Sequence, residues 1–301
     1  MTPEFDLIQR YFTRPAKHAI LGIGDDAALL RVPNGMALAV SVDTLVSGHH
    51  FEISSDARSI GYKSLAVNLS DMAAMGASPR WATLALTLPM VDPAWLAAFA
   101  DGFFELADKV GVELIGGDTT SGPLAVSVQI MGEIMPDSAL RRDQACPGDD
   151  IWVSGTLGDA AAALAIRQGR SGFDGPERQI LEYRLDWPEP RLLLGTRLRG
   201  LAHAAIDISD GLLADLGHIA RQSSVQALIN LDALPCSPEL CAVGDQQLIE
   251  ECLLSGGDDY ELCFSAAPDG RDDLKKLAES IHLKLTRIGK FQVGGGLKLM
   301  K

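Results

Sequence analysis

Short apolar runs alternate with longer amphipathic segments along the whole chain, and this pattern predicts interleaved strands and helices. Apolar stretches at 36–42, 81–88 and 124–134 have the length and composition of buried strands. The segments 56–75 and 92–110 are predicted helices, because each begins at an aspartate that can cap it and ends just before a glycine. A further amphipathic helix is predicted at the start, over residues 4–12. The pattern therefore predicts an α/β or mixed α+β protein.

The second half of the chain repeats this alternation. Strands are predicted there at 150–153, 204–208, 226–230, 260–264 and 285–288, and a short strand at 112–115 precedes them in the first half. Helices are predicted near 159–169, 212–221, 241–254 and 272–282. The polar segment Pro136–Gly148 interrupts the pattern, and we place a domain boundary there. The prediction is an N-terminal domain of residues 1–137 and a C-terminal domain of residues 138–301.

Length and composition agree with two ordinary globular domains. The chain has 301 residues, of which 47% are hydrophobic and 22% are charged. The formal net charge of −14 argues against binding to nucleic acid or to an anionic membrane. No apolar run reaches the roughly 20 residues of a membrane-spanning helix.

The N-terminus and the cysteines both bear on the compartment in which the protein is expected. The segment Met1–Asp6 has neither the basic region nor the apolar region of a secretory signal. Five cysteines form no close CxxC pair and no even-numbered framework, so they are expected to be reduced thiols. Both observations predict a cytoplasmic protein.

Six short segments place aspartate beside glycine, serine or threonine at predicted strand or helix ends. They are Gly22–Leu30, Ser41–Thr44, Asn68–Asp71, Gly116–Thr119, Asp207–Gly211 and Ser255–Asp259. Carboxylates that gather without matching Lys or Arg repel one another unless cations compensate, and short oxygen ligands suit Mg²⁺. Aspartate is also common at turns and caps, but its recurrence in six such segments favours a metal-dependent site.

Asp71 is the clearest single indication of a metal. It shares a face with Asn68 near the C-terminal end of a predicted helix. That end carries the negative pole of the helix, so a carboxylate there is unfavourable unless a cation compensates.

Other motifs are weaker on their own. The pairs Gly116-Gly117 and Gly256-Gly257 permit either close approach to a phosphate or a tight turn, and the residues alone do not decide between them. One of the adjacent arginines in the boundary segment could reach a phosphate, or both could be solvated. No Walker-type loop and no GxSxG motif is present, so we expect no covalent nucleophile.

Taken together, the six segments resemble the thiamine-monophosphate kinase family, within the aminoimidazole-ribonucleotide-synthetase-like superfamily. They occur in the family's order between about Phe5 and Gly289. The resemblance implies a two-domain fold whose N-terminal domains pair in a homodimer to form a strand barrel at the interface. It also implies ATP-dependent phosphorylation of thiamine monophosphate to thiamine diphosphate, assisted by several Mg²⁺ ions.

The resemblance also assigns site residues in this chain. Metal contacts would fall on Asp26, Ser41, Val42, Asp43, Asp71, Asp118, Asp207 and Asp210. ATP contacts would fall on Gly117, Asp118, Arg142 and Ser209. Substrate contacts would fall on His50 and Asp258, where family members often carry Glu in place of Asp258. Members usually have an aromatic near the C-terminus that packs on the thiamine rings, and the nearest aromatic here is Phe291.

Two alternatives remain open. One is another ATP-dependent synthetase of the same superfamily. Its selenophosphate-synthetase-like form is disfavoured because the first cysteine of the chain is Cys146. The other is a non-catalytic protein that binds divalent ions but does not turn over ATP.

Overall fold

A computed structural model of the chain describes residues 6–301. The chain divides into two compact units. The first comprises the chain up to Met72 together with Ala77–Asp137, and the second comprises Ala73–Gly76 together with Ser138–Lys301. Each unit contains one sheet with helices, so the mixed α/β prediction is confirmed.

The first unit is built on a four-stranded sheet. Its strands and helices are β1 (Ala37–Val46), α1 (Ala57–Met75), β2 (Ser78–Leu88), α2 (Pro93–Val110), β3 (Glu113–Ser121) and β4 (Ala125–Ile134). The strand order is β1-β4-β2-β3, in which β2 and β3 are parallel and the other neighbours are antiparallel. In the described part of this unit the sheet is open, with β1 and β3 at its edges, and does not close into a barrel.

The two longer helices predicted in this unit, 56–75 and 92–110, are confirmed together with their N-terminal caps. Asp56 Oδ2 accepts a hydrogen bond from the N–H of Ser59 at the start of α1 (3.1 Å). Asp92 Oδ1 accepts from the N–H of Ala94 at the start of α2 (2.9 Å). Gly111 ends α2 with φ +74°, a conformation that glycine adopts without strain.

Among the strands that are longer than predicted, two carry site residues, and their length changes where those residues lie. The predicted strand 36–42 continues to Val46, because every residue of β1 pairs with β4. Asp43 is therefore inside a strand and not at its end. The strand predicted at 112–115 continues to Ser121 because it pairs with β2 up to Leu88. The segment Gly116–Thr119 is consequently strand and not a turn.

The second unit contains a six-stranded sheet in the order β10-β7-β9-β5-β8-β6. Its strands are β5 (Asp150–Ser154), β6 (Ala204–Asp207), β7 (Val225–Asn230), β8 (Leu262–Ala266), β9 (Leu285–Val293) and β10 (Gly296–Met300). Its helices are α3 (Asp159–Arg167), α4 (Arg178–Asp186), α5 (Leu192–Leu198), α6 (Leu212–Gln222), α7 (Pro238–Cys241), α8 (Gln246–Ser255) and α9 (Arg271–Ile281).

Two features of the second unit differ from the prediction. The single helix expected at 241–254 is two helices, because Gly244 takes φ +76° and Asp245 caps α8. Strand β10 was not predicted, since three consecutive glycines precede its short apolar segment. It is held by parallel pairing with β7, which the local sequence does not reveal.

The opening helix predicted over 4–12 is a π-helical turn at Ile8–Phe12, and Glu4 and Phe5 lie outside the described residues. Phe12 is buried edge-on against Phe99 of α2, with ring centroids 6.3 Å apart. Among the described residues, none of the helices has the length and apolar character needed to cross a membrane.

Candidate active site

One group of predicted metal ligands lies on the face of the first sheet that packs against α1. Ser41 and Asp43 are two residues apart on β1 and so share this face. Ser41 Oγ donates a hydrogen bond to Asp71 Oδ2 on α1. The N–H of Asp43 donates to Oδ1 of Asn68, whose side chain is completely buried (3.1 Å). The structure therefore brings together Ser41, Asp43 and Asp71, three residues that the family resemblance assigns to metal binding.

Val42 lies between these ligands but points the other way. Its side chain is 58% exposed on the opposite face of the sheet. Because a valine side chain has no ligand atom, any contact of Val42 with a metal would use its carbonyl oxygen.

Asp118 projects from the opposite face to Asp43. In the register across the sheet, Thr44 pairs with Ser127, Ser127 with Ala85, and Ala85 with Asp118. Residues that pair directly across strands point to the same face, and Thr44 follows Asp43. The predicted ligands of this unit thus form two groups, and Asp118 belongs to the second.

The second group surrounds a cavity of about 580 Å³. Its wall combines the segment Gly24–Ala28 with Thr83, Leu84 and the strand segment Gly116–Thr119. Asp26, Gly117 and Asp118 therefore line one space, although they are distant in sequence. A volume of this size lies within the range of about 300–1,000 Å³ that is usual for small-molecule sites.

The geometry explains the Gly116-Gly117 pair. A Cβ atom on Gly117 would lie 1.8 Å from the carbonyl oxygen of Leu84, and its φ is +152°. A Cβ on Gly116 would meet nothing closer than Thr83 Cγ2, at 3.9 Å. Glycine is therefore required only at position 117, because the backbone of strand β2 packs too closely there for a side chain to fit. The pair is therefore not a tight turn.

Glu113 holds one end of the segment that leads into the cavity wall, and the sequence patterns did not single it out. Its carboxylate accepts hydrogen bonds from the N–H groups of Lys17 (2.6 Å), His18 (2.9 Å) and Ala19 (3.2 Å). Burial would raise the pKa of Glu113, but these hydrogen bonds outweigh it and hold that pKa below 4.5. The ionised carboxylate is therefore the form that holds the segment.

We expect Glu113→Gln to loosen the segment 17–30, because an amide is a weaker acceptor than a carboxylate and cannot accept on its nitrogen. Hydrogen exchange of that segment should become faster, and KM for the ligand of the cavity should rise severalfold. In the wild type, the ionised anchor is present above the ordinary carboxyl pKa and is lost only as pH falls through the lowered value. If hydrogen exchange of the segment 17–30 is the same in Glu113→Gln as in the wild type, the Glu113 carboxylate does not hold this segment in place.

The second unit holds another group of predicted ligands after β6. The N–H groups of Ser209 and Asp210 both donate to Oδ2 of Asp215, each at 3.0 Å. Asp215 is buried in the first turn of α6, and burial raises its pKa although the two backbone hydrogen bonds favour the ionised form. It positions the loop that carries Ser209 and Asp210.

Asp258 lies beside this loop. The N–H of Asp258 donates to the carbonyl oxygen of Ser209 (2.9 Å). The N–H of Tyr260 donates to the carbonyl oxygen of Ile208 (2.8 Å). A Cβ on Gly257 would lie 2.5 Å from the Ser209 oxygen, so the second glycine pair is also explained by close backbone packing. Asp258 and Tyr260 both take positive φ, +66° and +50°, which is uncommon outside glycine. The structure thus brings Ser209, Asp210 and Asp258 together.

The remaining predicted residues are more peripheral. His50 is exposed in the loop after β1, and its Nδ1 accepts from the N–H of Val46 (3.1 Å), which leaves Nε2 for a ligand. Arg142 is exposed. The adjacent Arg141 instead forms an ion pair with Asp143, with an N–O distance of 2.6 Å.

Phe291 is in a different environment from the one expected. It is 1% exposed and belongs to the hydrophobic core of the second unit, with Val225 and Ile288. Its N–H donates to the carbonyl oxygen of Asp149, which fixes it within the sheet region. A stacking role on a ligand is at odds with this burial, because the ring would have to leave the core.

The predicted aspartates do not form a closed metal cage. In the part of the chain that the structure describes, one group of three Cys, His, Asp or Glu residues has ligand atoms all within 4.8 Å, namely Cys146, Asp149 and His203. Magnesium, however, is usually held by one or two carboxylates together with waters and substrate phosphates, not by an all-protein cage. Hydroxyl and carboxylate oxygens such as those of Ser41, Asp43 and Asp71 fit that mode of binding.

Comparison with known proteins covers nearly the whole chain. The family models for AIR synthase related protein match its N-terminal domain at residues 24–134 and its C-terminal domain at residues 146–301. The chain is 48% identical over 290 residues to the thiamine-monophosphate kinase of Escherichia coli K12, covering 95% of this chain and 89% of the relative.

Solved structures give the same picture. The thiamine-monophosphate kinase of Stenotrophomonas maltophilia K279a is 53% identical with a TM-score of 0.90, covering 98% of this chain and 94% of that one. A structure described as AaThiL complexed with AMPPCP and TMP is 31% identical with a TM-score of 0.81, covering 89% and 84%.

Proposed function

The chain belongs to the thiamine-monophosphate kinase family, and we propose that it carries out ATP-dependent phosphorylation of thiamine monophosphate to thiamine diphosphate. The observation that carries this proposal is the likeness over nearly the full length to kinases of this name. The complex of AaThiL with AMPPCP, an analogue of ATP, and with TMP supports the choice of both substrates. The cavity lined by Asp26, Gly117 and Asp118 is large enough for part of a nucleotide.

We further propose that several Mg²⁺ ions take part. Ser41, Asp43 and Asp71 would hold metal in one group, Asp26 and Asp118 in another, and Asp207 and Asp210 in the second unit. Bound Mg²⁺ would neutralise the phosphates of donor and acceptor and so reduce their mutual repulsion.

The other assigned residues would position the two substrates. Arg142 and Ser209 would contact the phosphates of ATP, and His50 would donate to the acceptor through Nε2. Gly117 would let the backbone of β3 lie close to the nucleotide. Phosphoryl transfer depends mainly on such positioning and on charge stabilisation.

The acceptor needs little activation by the protein. It is a phosphate oxygen that is largely ionised at neutral pH, so no strong general base is required. The aspartates of the sites are assigned to metals, which commits their lone pairs, so we expect none of them to act as a covalent nucleophile. The phosphoryl group therefore passes directly from ATP to thiamine monophosphate.

This direct route predicts inversion at phosphorus. With ATP made chiral at the γ-phosphorus, a single in-line displacement inverts the configuration, whereas two successive displacements restore it. Stereochemical analysis of the thiamine diphosphate should report inversion. Net retention, or label trapped on Asp or His after incubation with ATP alone, would show that a phosphoenzyme forms.

One assay tests the function itself. Purified protein is incubated with ATP, Mg²⁺ and thiamine monophosphate, and the products are separated by charge. We expect ADP and thiamine diphosphate in equal amounts. ATP turnover that needs a different acceptor would indicate another synthetase of the superfamily. Ion binding without any turnover would indicate a non-catalytic protein.

We also propose a homodimer in which the first units of two copies pair their sheets into a strand barrel. An apolar row on β1 supports this, because Leu38, Val40 and Val42 are 40%, 51% and 58% exposed on one face. The open edges at β1 and β3 are where a second sheet could pair. The mass in solution, measured by light scattering, tests the proposal.

We place the enzyme in the cytoplasm. This location fits its use of ATP. It also fits the five cysteines, all of which are free thiols.

A further inference from the structure

Three side chains of different chemistry come together near the start of the second unit. Cys146, Asp149 and His203 each present one ligand atom, and these atoms all lie within 4.8 Å of one another. Their chemistry differs from that of the proposed Mg²⁺ groups, which offer oxygen atoms. A thiolate together with an imidazole selects zinc and similar transition-metal ions, whereas Mg²⁺ prefers oxygen ligands.

A tight turn places Cys146 beside Asp149. The residues between them are Pro147 and Gly148, a pair that favours a type II turn, and Gly148 has φ +101°. The N–H of Asp149 donates to the carbonyl oxygen of Cys146 (3.1 Å), which closes the turn. The N–H of Cys146 donates in return to Oδ2 of Asp149 (2.8 Å). The turn therefore holds the two residues next to each other before any ion binds.

The sheet of the second unit fixes the backbone on both sides of the group. The N–H of Phe291 on β9 donates to the carbonyl oxygen of Asp149 (2.8 Å). His203 directly precedes β6, and its N–H donates to the carbonyl oxygen of Ser265 on β8 (2.9 Å). Ligands that are already placed lose less entropy when an ion binds.

Asp149 and His203 are already close enough to share an ion. Nδ1 of His203 lies 3.0 and 2.9 Å from the two carboxylate oxygens of Asp149. Two such atoms bound at about 2.0–2.1 Å to one tetrahedral Zn²⁺ lie roughly 3.3 Å apart, so a small adjustment is enough. The zinc ion would replace the proton that the hydrogen bond between these side chains requires.

The group combines a buried carboxylate with accessible soft ligands. The side chain of Asp149 is 4% exposed and that of His203 is 42% exposed, while Cys146 is exposed. The exposed side gives an ion a path of entry and leaves space for the thiol to approach. The neighbouring Asp150 differs, because Arg271 and Arg287 already neutralise it. In the group itself, a thiolate and a carboxylate carry two negative charges, which match the charge of Zn²⁺.

We propose that Cys146, Asp149 and His203 bind one Zn²⁺ ion through Sγ, a carboxylate oxygen and Nδ1, with a water molecule as the fourth ligand. The thiol proton and the proton between Asp149 and His203 pass to solvent when the ion binds. This zinc site is separate from the proposed Mg²⁺ groups, and it does not depend on the proposed function.

The zinc ion fastens the segment 141–149 to the start of β6. Two contacts already hold this segment at its beginning. The N–H of Ala205 donates to the carbonyl oxygen of Arg141 (3.3 Å), and the hydroxyl of Ser223 donates to that of Arg142 (2.9 Å). Zinc adds a fastening at the other end, so hydrogen exchange of the segment should become slower when the ion binds.

The test measures Zn²⁺ binding by calorimetry, with tag-free protein in excess Mg²⁺ to fill the carboxylate sites. We expect the wild type to bind one Zn²⁺ per chain. Cys146→Ala and His203→Gln should each lower the affinity at least about a hundredfold, because losing even an outer partner of a metal ligand typically costs about 10–100-fold.

Co²⁺ used in place of Zn²⁺ shows whether sulfur is a ligand, because a bound thiolate gives a charge-transfer absorption band. The band should appear in the wild type and be absent in Cys146→Ala. The control for sulfur is Cys236→Ser combined with Cys241→Ser, since these two Sγ atoms lie 2.7 Å apart and offer a competing thiol site. The control for imidazole is His218→Gln, which removes another partly exposed histidine of the second unit. Both controls should keep the wild-type affinity and band.

Circular dichroism and thermal melting without metal establish that each variant is folded. Zn²⁺ should raise the melting temperature of the wild type and slow hydrogen exchange of the segment 141–149, and it should do neither in Cys146→Ala. Equal Zn²⁺ affinity in the wild type, Cys146→Ala and His203→Gln would overturn the proposal. Loss of the Co²⁺ band in the Cys236 and Cys241 double variant, or no Zn²⁺ binding by the wild type, would also overturn it. None of these measurements involves turnover, so the kinase assay decides the proposed function separately.

Discussion

Asp43→Asn is expected to lower kcat at least about a hundredfold while the protein stays folded, because removing one charge-stabilising group at a phosphoryl-transfer site typically has an effect of this size. The substitution removes a charge from the Mg²⁺ site that we propose for Ser41, Asp43 and Asp71, but the backbone N–H at position 43 keeps its hydrogen bond to Asn68. Steady-state kinetics at several Mg²⁺ concentrations provides the measurement, and the midpoint for Mg²⁺ should shift upward. Asp71→Asn should behave in the same way.

The control is Asp101→Asn, which removes one negative charge from the exposed face of α2. It should leave kcat unchanged. Without metal, the Asp43→Asn protein should be as stable as the wild type or more so, because carboxylates that lie close together repel. If Asp43→Asn unfolds and Mg²⁺ does not affect wild-type stability, Asp43 has a structural role only.

Gly117→Ala is expected to destabilise the first unit severely, by about 3 kcal/mol or more, since a methyl group cannot share space with a backbone oxygen. The added Cβ would lie 1.8 Å from the Leu84 oxygen, so β3 would have to move away from β2. The left-handed φ of +152° adds strain for any residue except glycine. Chemical denaturation should show the lower free energy of unfolding. The cavity beside Gly117 should no longer bind its ligand.

Gly116→Ala is the matched control one residue earlier. Its Cβ has its nearest neighbour at 3.9 Å, an ordinary contact, and its φ is not in the left-handed region. Stability should therefore change by less than about 1 kcal/mol. Equal effects of the two substitutions would mean that the close approach of β2 and β3 is not what requires glycine.

Local signals predicted the helices well. Asp92 and Gly111 define the ends of α2 through contacts within a few residues, so their effect is visible in the sequence. The strands were less predictable because their lengths depend on partners far away in the chain. β3 continues through two glycines because β2 runs beside it, and β10 exists because β7 pairs with it.

The residues of the candidate site also divide into those that the local sequence indicates and those that depend on contacts with distant segments. The family resemblance assigned both Ser41 and Asp71 to metal binding, and the hydrogen bond between them shows that they lie close together. Glu113 and Asp215 were missed because their carboxylates bind backbone N–H groups, which every residue type carries and no motif records. The two faces of the first sheet could not be predicted either, because they follow from register and not from spacing along the chain.

The register of the first sheet has a consequence for protein synthesis. Ala37 pairs with Ile134 and Val46 pairs with Ala125, so β1 finds its partner only after most of the unit has been made. On the ribosome, β1 must therefore wait several seconds as an unpaired segment at ordinary elongation rates. During that time the apolar row of β1 is open to other chains. We therefore expect substitutions that shorten β4 to lower the yield of folded protein more than its final stability.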